Sequence, residues 1–250
     1  MGVLCVEHVL AALYLRGVTN AEIICQKNDK NDESEDEGSA KECEVPMYDG
    51  SISHIIEAID NAGVIAQEEM VKKVYKITQE ISVYSGERFV KVSPIERYSG
   101  KNHLQLDVEV DFKNPGIPSG RLNLCLDRDV YERRIMDNLI RARTFCLEEE
   151  FNDIEKQEPG TKGRARKYMV IVDRHGNPAV GQKGGFSFVE EPVYHKTVDL
   201  IGDLSLLQLP LIAHVQAYMP GHELNLALAR VIYEETQKDN GKAQLISLVQ

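Results

Sequence analysis

Residues 191–222, EPVYHKTVDLIGDLSLLQLPLIAHVQAYMPGH, constrain this chain more than any other stretch. As a helix, the first half stacks His195, Asp199 and Asp203 on one face, because residues four apart lie one above the other. Val198, Leu200, Ile201, Leu204 and Leu207 occupy the rest of the cylinder and are fit for burial. An apolar helix that carries an imidazole and two carboxylates, with Lys196 at the edge of the stripe, is costly to bury unless something satisfies those groups. A divalent metal does so. Nitrogen and oxygen donors together suit zinc at a catalytic site, where three protein ligands leave one position for water. A solvated helix face fits the same spacing, and this stretch alone does not choose between the two.

Composition narrows the setting. With 250 residues, 42% of them hydrophobic, the chain can pack one large domain or two small ones. A net charge of −11 argues against general nucleic-acid binding. The acidity is uneven: residues 28–44, NDKNDESEDEGSAKECE, read as a solvated loop. An anionic small molecule remains compatible, served by local Lys and Arg. Five cysteines, Cys5, Cys25, Cys43, Cys125 and Cys146, are odd in number and never spaced CxxC. They point to a reducing compartment, not to a disulfide framework or a four-Cys zinc site. No apolar run is long enough to span a membrane. The opening MGVLCVEHVLAALYL lacks a basic leader and a cleavage site, so it reads as structure, not as a signal peptide.

Periodicity predicts a helix over 3–16 burying Val6, Val9, Leu10, Leu13 and Tyr14, stopped by Gly17, and a short strand at 21–25. The sequence EVPMYDGS at 44–51 carries turn chemistry, with Ser51 a candidate cap for a helix over 52–62. Strands are predicted at 73–82, 87–93, 104–112, 122–126 and 167–172, and a helix at 130–143. Residues 148–163 are charged and weakly patterned. After the helix that begins at 191 come a strand at 211–218 and a helix from 222 to about 235, burying Leu224, Leu226, Leu228 and Val231; the tail from Gln237 is left unassigned. Helices and strands mix without a βαβ rhythm, which favours an α+β layered fold, and no GxGxxG or Walker sequence occurs.

Four pieces stand out together: VEHVLAAL at 6–13, EVPMYDGS at 44–51, ARTF at 142–145, and HKTVDLIGD at 195–203 followed by GHELN at 221–225. Jointly they make the chain similar to the zinc-dependent UDP-3-O-acyl-N-acetylglucosamine deacetylases of lipid A synthesis. The resemblance implies that His8, His195 and Asp199 hold Zn2+ and that Glu7 is the general base. It implies that His222 serves the leaving amine as acid or electrostatic stabiliser, with Asp203 holding its imidazole. Lys196 is implied near substrate and developing charge, Thr144 at the amide carbonyl and Phe145 against the substrate. Each residue has a plainer reading when taken singly. Glu7-His8 also fits a surface dipeptide, Cys5 with His8 half of a structural zinc site, and His222 a simple helix start. His54, His103, His175 and His214 are expected in packing or surface roles.

The resemblance implies two layered α/β sandwich domains, 1–98 and 99–250, with the metal site between them. It also implies a small-molecule partner, a UDP-linked acylated glucosamine, a monomeric state and a cytoplasmic location, or an organelle interior if the chain is eukaryotic and lacks its N-terminus. Three departures accompany it. Family members carry more chain ahead of the VEH motif, so the first domain is expected to be incomplete and mobile. GTKGRARK at 160–167 replaces a Gly-Gly-Ser segment, and the acidic loop is longer than usual. The alternative expectation is therefore a weakly active or non-catalytic remnant that acts as a binding or scaffold protein.

Overall fold

The computed structural model describes residues 3–24, 43–67, 72–95, 104–126, 133–157, 167–182 and 184–248. Most of the acidic loop, His103 and all but the last residue of the 160–167 segment lie outside them. In chain order the elements are β1 (Val3–Leu4), α1 (Glu7–Leu15), β2 (Cys43–Glu44), α2 (Ser53–Ala62), β3 (Lys72–Ile77), β4 (Ile81–Ser85), β5 (Arg88–Ser93), β6 (Leu104–Val110) and β7 (Gly120–Cys125). There follow α3 (Arg133–Arg141), β8 (Phe145–Leu147), α4 (Glu148–Gln157), β9 (Val170–Val172), α5 (Glu191–Leu204), β10 (Leu211–Tyr218), α6 (His222–Thr236) and β11 (Ala243–Leu248). The fold is α+β.

One mixed sheet of seven strands is organised on β10. Val215 sits opposite Val92 of antiparallel β5 and opposite Leu106 of parallel β6, while Leu211 begins a short parallel pairing with Tyr75 of β3. β4 extends the sheet beyond β5, β7 beyond β6, and β11 beyond β3. Along β6 every second side chain is buried, the alternation of a sheet with one covered face. Helix α5 lies over β6 and β7, and α6 over β4, β5 and β11. Helix α1 packs on α5 from the other side. That layering leaves α5 between sheet and helix, and every residue of it except Lys196 is buried. A separate two-stranded sheet, β8 with β9, supports the segment that follows α3.

Several expected boundaries move. The chain does not form one helix over 3–16: Val3 and Leu4 pair with Cys43 and Glu44, Cys5 adopts φ +58, and α1 starts at Glu7. Its buried residues are His8, Ala11, Ala12 and Leu15, whereas Val6, Val9, Leu10, Leu13 and Tyr14 are only half-buried. Small side chains face α5 because the two helices approach closely there. Residues 21–24 form no strand, no neighbour pairs with them among the described residues, and Ile23 and Ile24 are exposed. The strand expected over 73–82 breaks at 78–80, where the amides of Thr78 and Gln79 both turn to the Lys242 carbonyl. Residues 148–157 are helical, and the Gln237 tail supplies β11. On α6, Ile232 and Ala229 are buried with Leu224 and Leu228, while Leu226 is exposed. Strands from both sides of residue 98 pair with β10 in the large sheet.

Candidate metal centre

The stripe on α5 is buried and is not a solvated helix face. His195, Asp199 and Asp203 are 3%, 2% and 4% exposed. Helix α1 brings His8, itself 2% exposed, against them. Gly202 makes that approach possible, since a Cβ there would stand 2.1 Å from the Glu7 carbonyl oxygen. The Nε2 atoms of His195 and His8 lie 3.3 and 3.8 Å from Oδ1 of Asp199, and the rings meet edge to face at 5.2 Å. One potential ligand atom from each of His8, His195 and Asp199 fits within a span of 4.8 Å, close enough for all three to hold one metal ion.

The surroundings prepare these side chains. Nδ1 of His195 lies 3.1 Å from the Ala142 carbonyl, which can only accept, so Nδ1 carries the proton and Nε2 keeps its lone pair toward Asp199. Burial lowers the His195 pKa to about 4 against the opposing pull of Asp199, so the ring is neutral, as a ligand must be. Nδ1 of His8 is buried and has no hydrogen-bond partner among the described residues, an unfavourable state for a polar atom. The second carboxylate oxygen of Asp199 accepts from Nζ of Lys196 at 2.9 Å. Burial alone would raise the Asp199 pKa, yet Lys196 and His195 outweigh it and hold the carboxyl well below its usual range. Burial likewise works against the Lys196 ammonium, and Asp199 reverses the effect and raises it.

A second unit adjoins the first. Asp203, one turn beyond Asp199, accepts from Nδ1 of His222 at 2.9 Å and from Asn225 Nδ2 at 2.8 Å, both on the same oxygen. The hydrogen bond to Asp203 drives the His222 pKa up to about 9 against the cost of its partial burial, so the imidazole is a cation. Asn225 is wholly buried; it ends the GHELN piece of the sequence, which assigned it no role, and its place one turn after His222 on α6 was the available signal.

The other expected residues surround the pair of units. Glu7 precedes His8 on α1, is half-buried, and its side chain has no hydrogen-bond or ion-pair partner among the described residues. The Phe145 ring stands 6.1 Å from that of His195, and Nζ of Lys196 lies 5.7 Å from its centroid. Phe112 and Phe186 extend this into an aromatic wall, each meeting Phe145 edge-on. Thr144 joins through its backbone: its amide donates to the Gly50 carbonyl at 2.9 Å, and its carbonyl accepts from Val170 at 2.8 Å. Gly50 has φ +85, and a Cβ on it would meet the Tyr168 carbonyl at 1.8 Å, which explains the glycine of the MYDGS turn. Missed from sequence was the pair Arg143–Glu191, whose carboxylate is 0% exposed.

Comparison with known proteins gives one family. The family model for UDP-3-O-acyl N-acetylglycosamine deacetylase matches residues 1–234. Among curated proteins of the name UDP-3-O-acyl-N-acetylglucosamine deacetylase, that of Psychrobacter sp. (strain PRwf-1) is 29% identical over 92% of this chain and 68% of its own length. That of Sulfurimonas denitrificans is 29% identical over 98% and 71%, and that of Campylobacter fetus subsp. fetus 30% identical over 96% and 73%.

Proposed function

We propose, for a chain that belongs to the UDP-3-O-acyl N-acetylglycosamine deacetylase family, that it hydrolyses the acetamide of a UDP-3-O-acyl-N-acetylglucosamine with Zn2+ as cofactor, releasing acetate in lipid A synthesis. The observation that carries this reading is the meeting of His8, His195 and Asp199 beside the Asp203–His222 unit. The donor set fits zinc: two imidazoles, one of them held with Nε2 free, and a carboxylate held ionised. The chemistry such an ion supplies is a polarised carbonyl and a water acidified to a pKa of about 7.

The chain's own residues do the rest. Glu7, one residue from a ligand and free of ion pairs among the described residues, takes the proton of the attacking water. His222 enters as the cation and gives its Nε2 proton to the departing nitrogen, while Asp203 holds the ring at Nδ1 and stabilises the charge. Lys196, at the edge of the site, offsets the negative charge that develops on the former carbonyl oxygen, and the Thr144 hydroxyl donates to that oxygen. The Phe145 wall keeps water from the reacting amide and borders the sugar.

No helix among the described residues is long and apolar enough to cross a membrane. We place the reaction in the cytoplasm, with a monomeric chain, an organelle interior being the alternative. The test is direct. Zinc-loaded protein incubated with UDP-3-O-acyl-N-acetylglucosamine should release acetate and the free amine in equal amounts. A folded, zinc-loaded chain that binds the sugar nucleotide without releasing acetate would leave the binding-protein alternative standing.

A further inference from the structure

Glu191 is the first residue of α5 and is wholly buried, with four donors on its carboxylate. Oε1 accepts from the Arg143 backbone amide at 3.1 Å and from Arg143 Nε at 2.8 Å. Oε2 accepts from Arg143 Nη2 at 3.1 Å and from the Ser187 amide. The same Nη2 also reaches the Gly185 carbonyl and the Ser187 hydroxyl, both at 2.9 Å. A buried ion pair adds little net stability compared with an apolar replacement, so stability is a weak reason for so complete an arrangement.

What the pair joins gives a better reason. One residue before Arg143 is Ala142, whose carbonyl fixes the Nδ1 proton of His195. Two residues after it is Phe145, against the His195 ring. One residue before Ser187 is Phe186, whose ring meets Phe145 at 5.7 Å. Four residues after Glu191 on the helix is His195 itself. Three segments that touch the candidate centre therefore converge on one carboxylate.

Resting on the metal-centre reading above, we infer that Arg143 and Glu191 form a positioning pair that sets the direction and tautomer of His195 and the stance of the Phe145–Phe186 wall. The pair acts through these neighbours and touches neither metal nor substrate. A point charge cannot replace the guanidinium here, because one planar fork serves both carboxylate oxygens while its Nη2 also binds the 185–187 loop.

Arg143→Lys and Glu191→Gln in the full chain test this. Zinc affinity by chelator competition should weaken about 10–100-fold in both, the scale for residues that support a ligand. With zinc saturating, kcat should fall at least about tenfold while KM for UDP-3-O-acyl-N-acetylglucosamine stays within about twofold. In the metal-free protein, the 15N spectrum of His195 should show the Nδ1–H tautomer in the parent chain and a mixture in the variants. A folded Arg143→Lys protein with parental zinc affinity and the parental His195 spectrum would overturn the inference. So would a lowered melting temperature with unchanged kcat per zinc-loaded molecule, the mark of a purely structural pair. If Arg143→Lys does not fold, Glu191→Gln, which keeps the side-chain shape, carries the same readouts. A parent chain that neither takes zinc nor releases acetate would sink the functional reading instead, and the metal-free His195 spectra would still decide the role of the pair.

Discussion

Nδ1 of His222, the first residue of α6, lies 2.9 Å from Oδ2 of Asp203, near the end of α5. The contact ties the two helices that cover the sheet and makes one imidazole a cation beside the candidate metal centre. Asp203 is buried while His222 is half-exposed, so the pair has a shielded anchor and an accessible acid. Asn225 donates to the same Asp203 oxygen and keeps the carboxylate from turning away.

The first prediction is a pH profile. The His222 pKa is raised from 6.5 to about 9, chiefly by the hydrogen bond to Asp203. The stability this pair contributes is thus fully present below about 6.5 and is lost as pH rises through about 9. If His222 is the acid, kcat should hold up to that upper limit and fall beyond it. Asp203→Asn removes the leading cause of the shift and should move the basic limb down toward the ordinary imidazole range. A basic limb unmoved in Asp203→Asn would assign it to another group.

The second concerns the metal. Purified protein should carry about one zinc per chain, and His195→Ala should carry close to none, because two remaining ligands hold zinc weakly. Metal analysis of the variant beside a thermal melt decides this. Parental zinc content in folded His195→Ala would overturn the ligand set.

The third separates base from ligand. Glu7→Ala should keep its zinc and lose about 10²–10⁴ in kcat, the usual range for a positioned general base. Glu7 and His8 are adjacent on α1, so the two roles are easily exchanged on paper. Loss of zinc from Glu7→Ala would exchange them in fact.

The centre was partly legible because its densest part is local. His195, Asp199 and Asp203 announce themselves by i, i+4 spacing on one helix, and the apolar residues between them mark it for burial. How deep that stripe lies depends on α1 crossing it, a tertiary fact that no window on α5 contains. The same crossing overturned the expected face of α1: the large residues Val9, Leu10 and Leu13 look like core, yet Ala11 and Ala12 are the side chains that allow contact. Arg143–Glu191 escaped because an acid in the first turn of a helix is ordinary on dipole grounds, and its partner lies far away in sequence. Helix α4 escaped for a related reason, since the stretch that begins with Glu148, Glu149 and Glu150 is charged and weakly patterned, although acids favour a helix start. Strand β11 was missed because its apolar residues are matched by a partner, β3, from the other end of the chain.

The last prediction follows from the close approach of α1 to α5 at Gly202. A Cβ on Gly202 would lie 2.1 Å from the Glu7 carbonyl oxygen and 2.8 Å from its Cα, while ordinary contact begins near 3.4 Å. The obstacle is backbone, so no side-chain rotation can relieve it. In Gly202→Ala the two helices must part at the point where Glu7 and His8 enter the site. Overpacking of this kind costs about 1–3 kcal/mol. The functional loss should be of comparable size, because a displacement on the order of 1 Å at a catalytic group can cost about 10²-fold in rate. His8 would move relative to His195 and Asp199, which stay fixed on α5, so zinc affinity should fall together with kcat. Chelator competition and a thermal melt on the same Gly202→Ala preparation measure the two effects. A stable variant with parental zinc affinity would mean that α1 can shift away from α5 without carrying His8 out of reach, and the close packing at Gly202 would then have no part in building the centre.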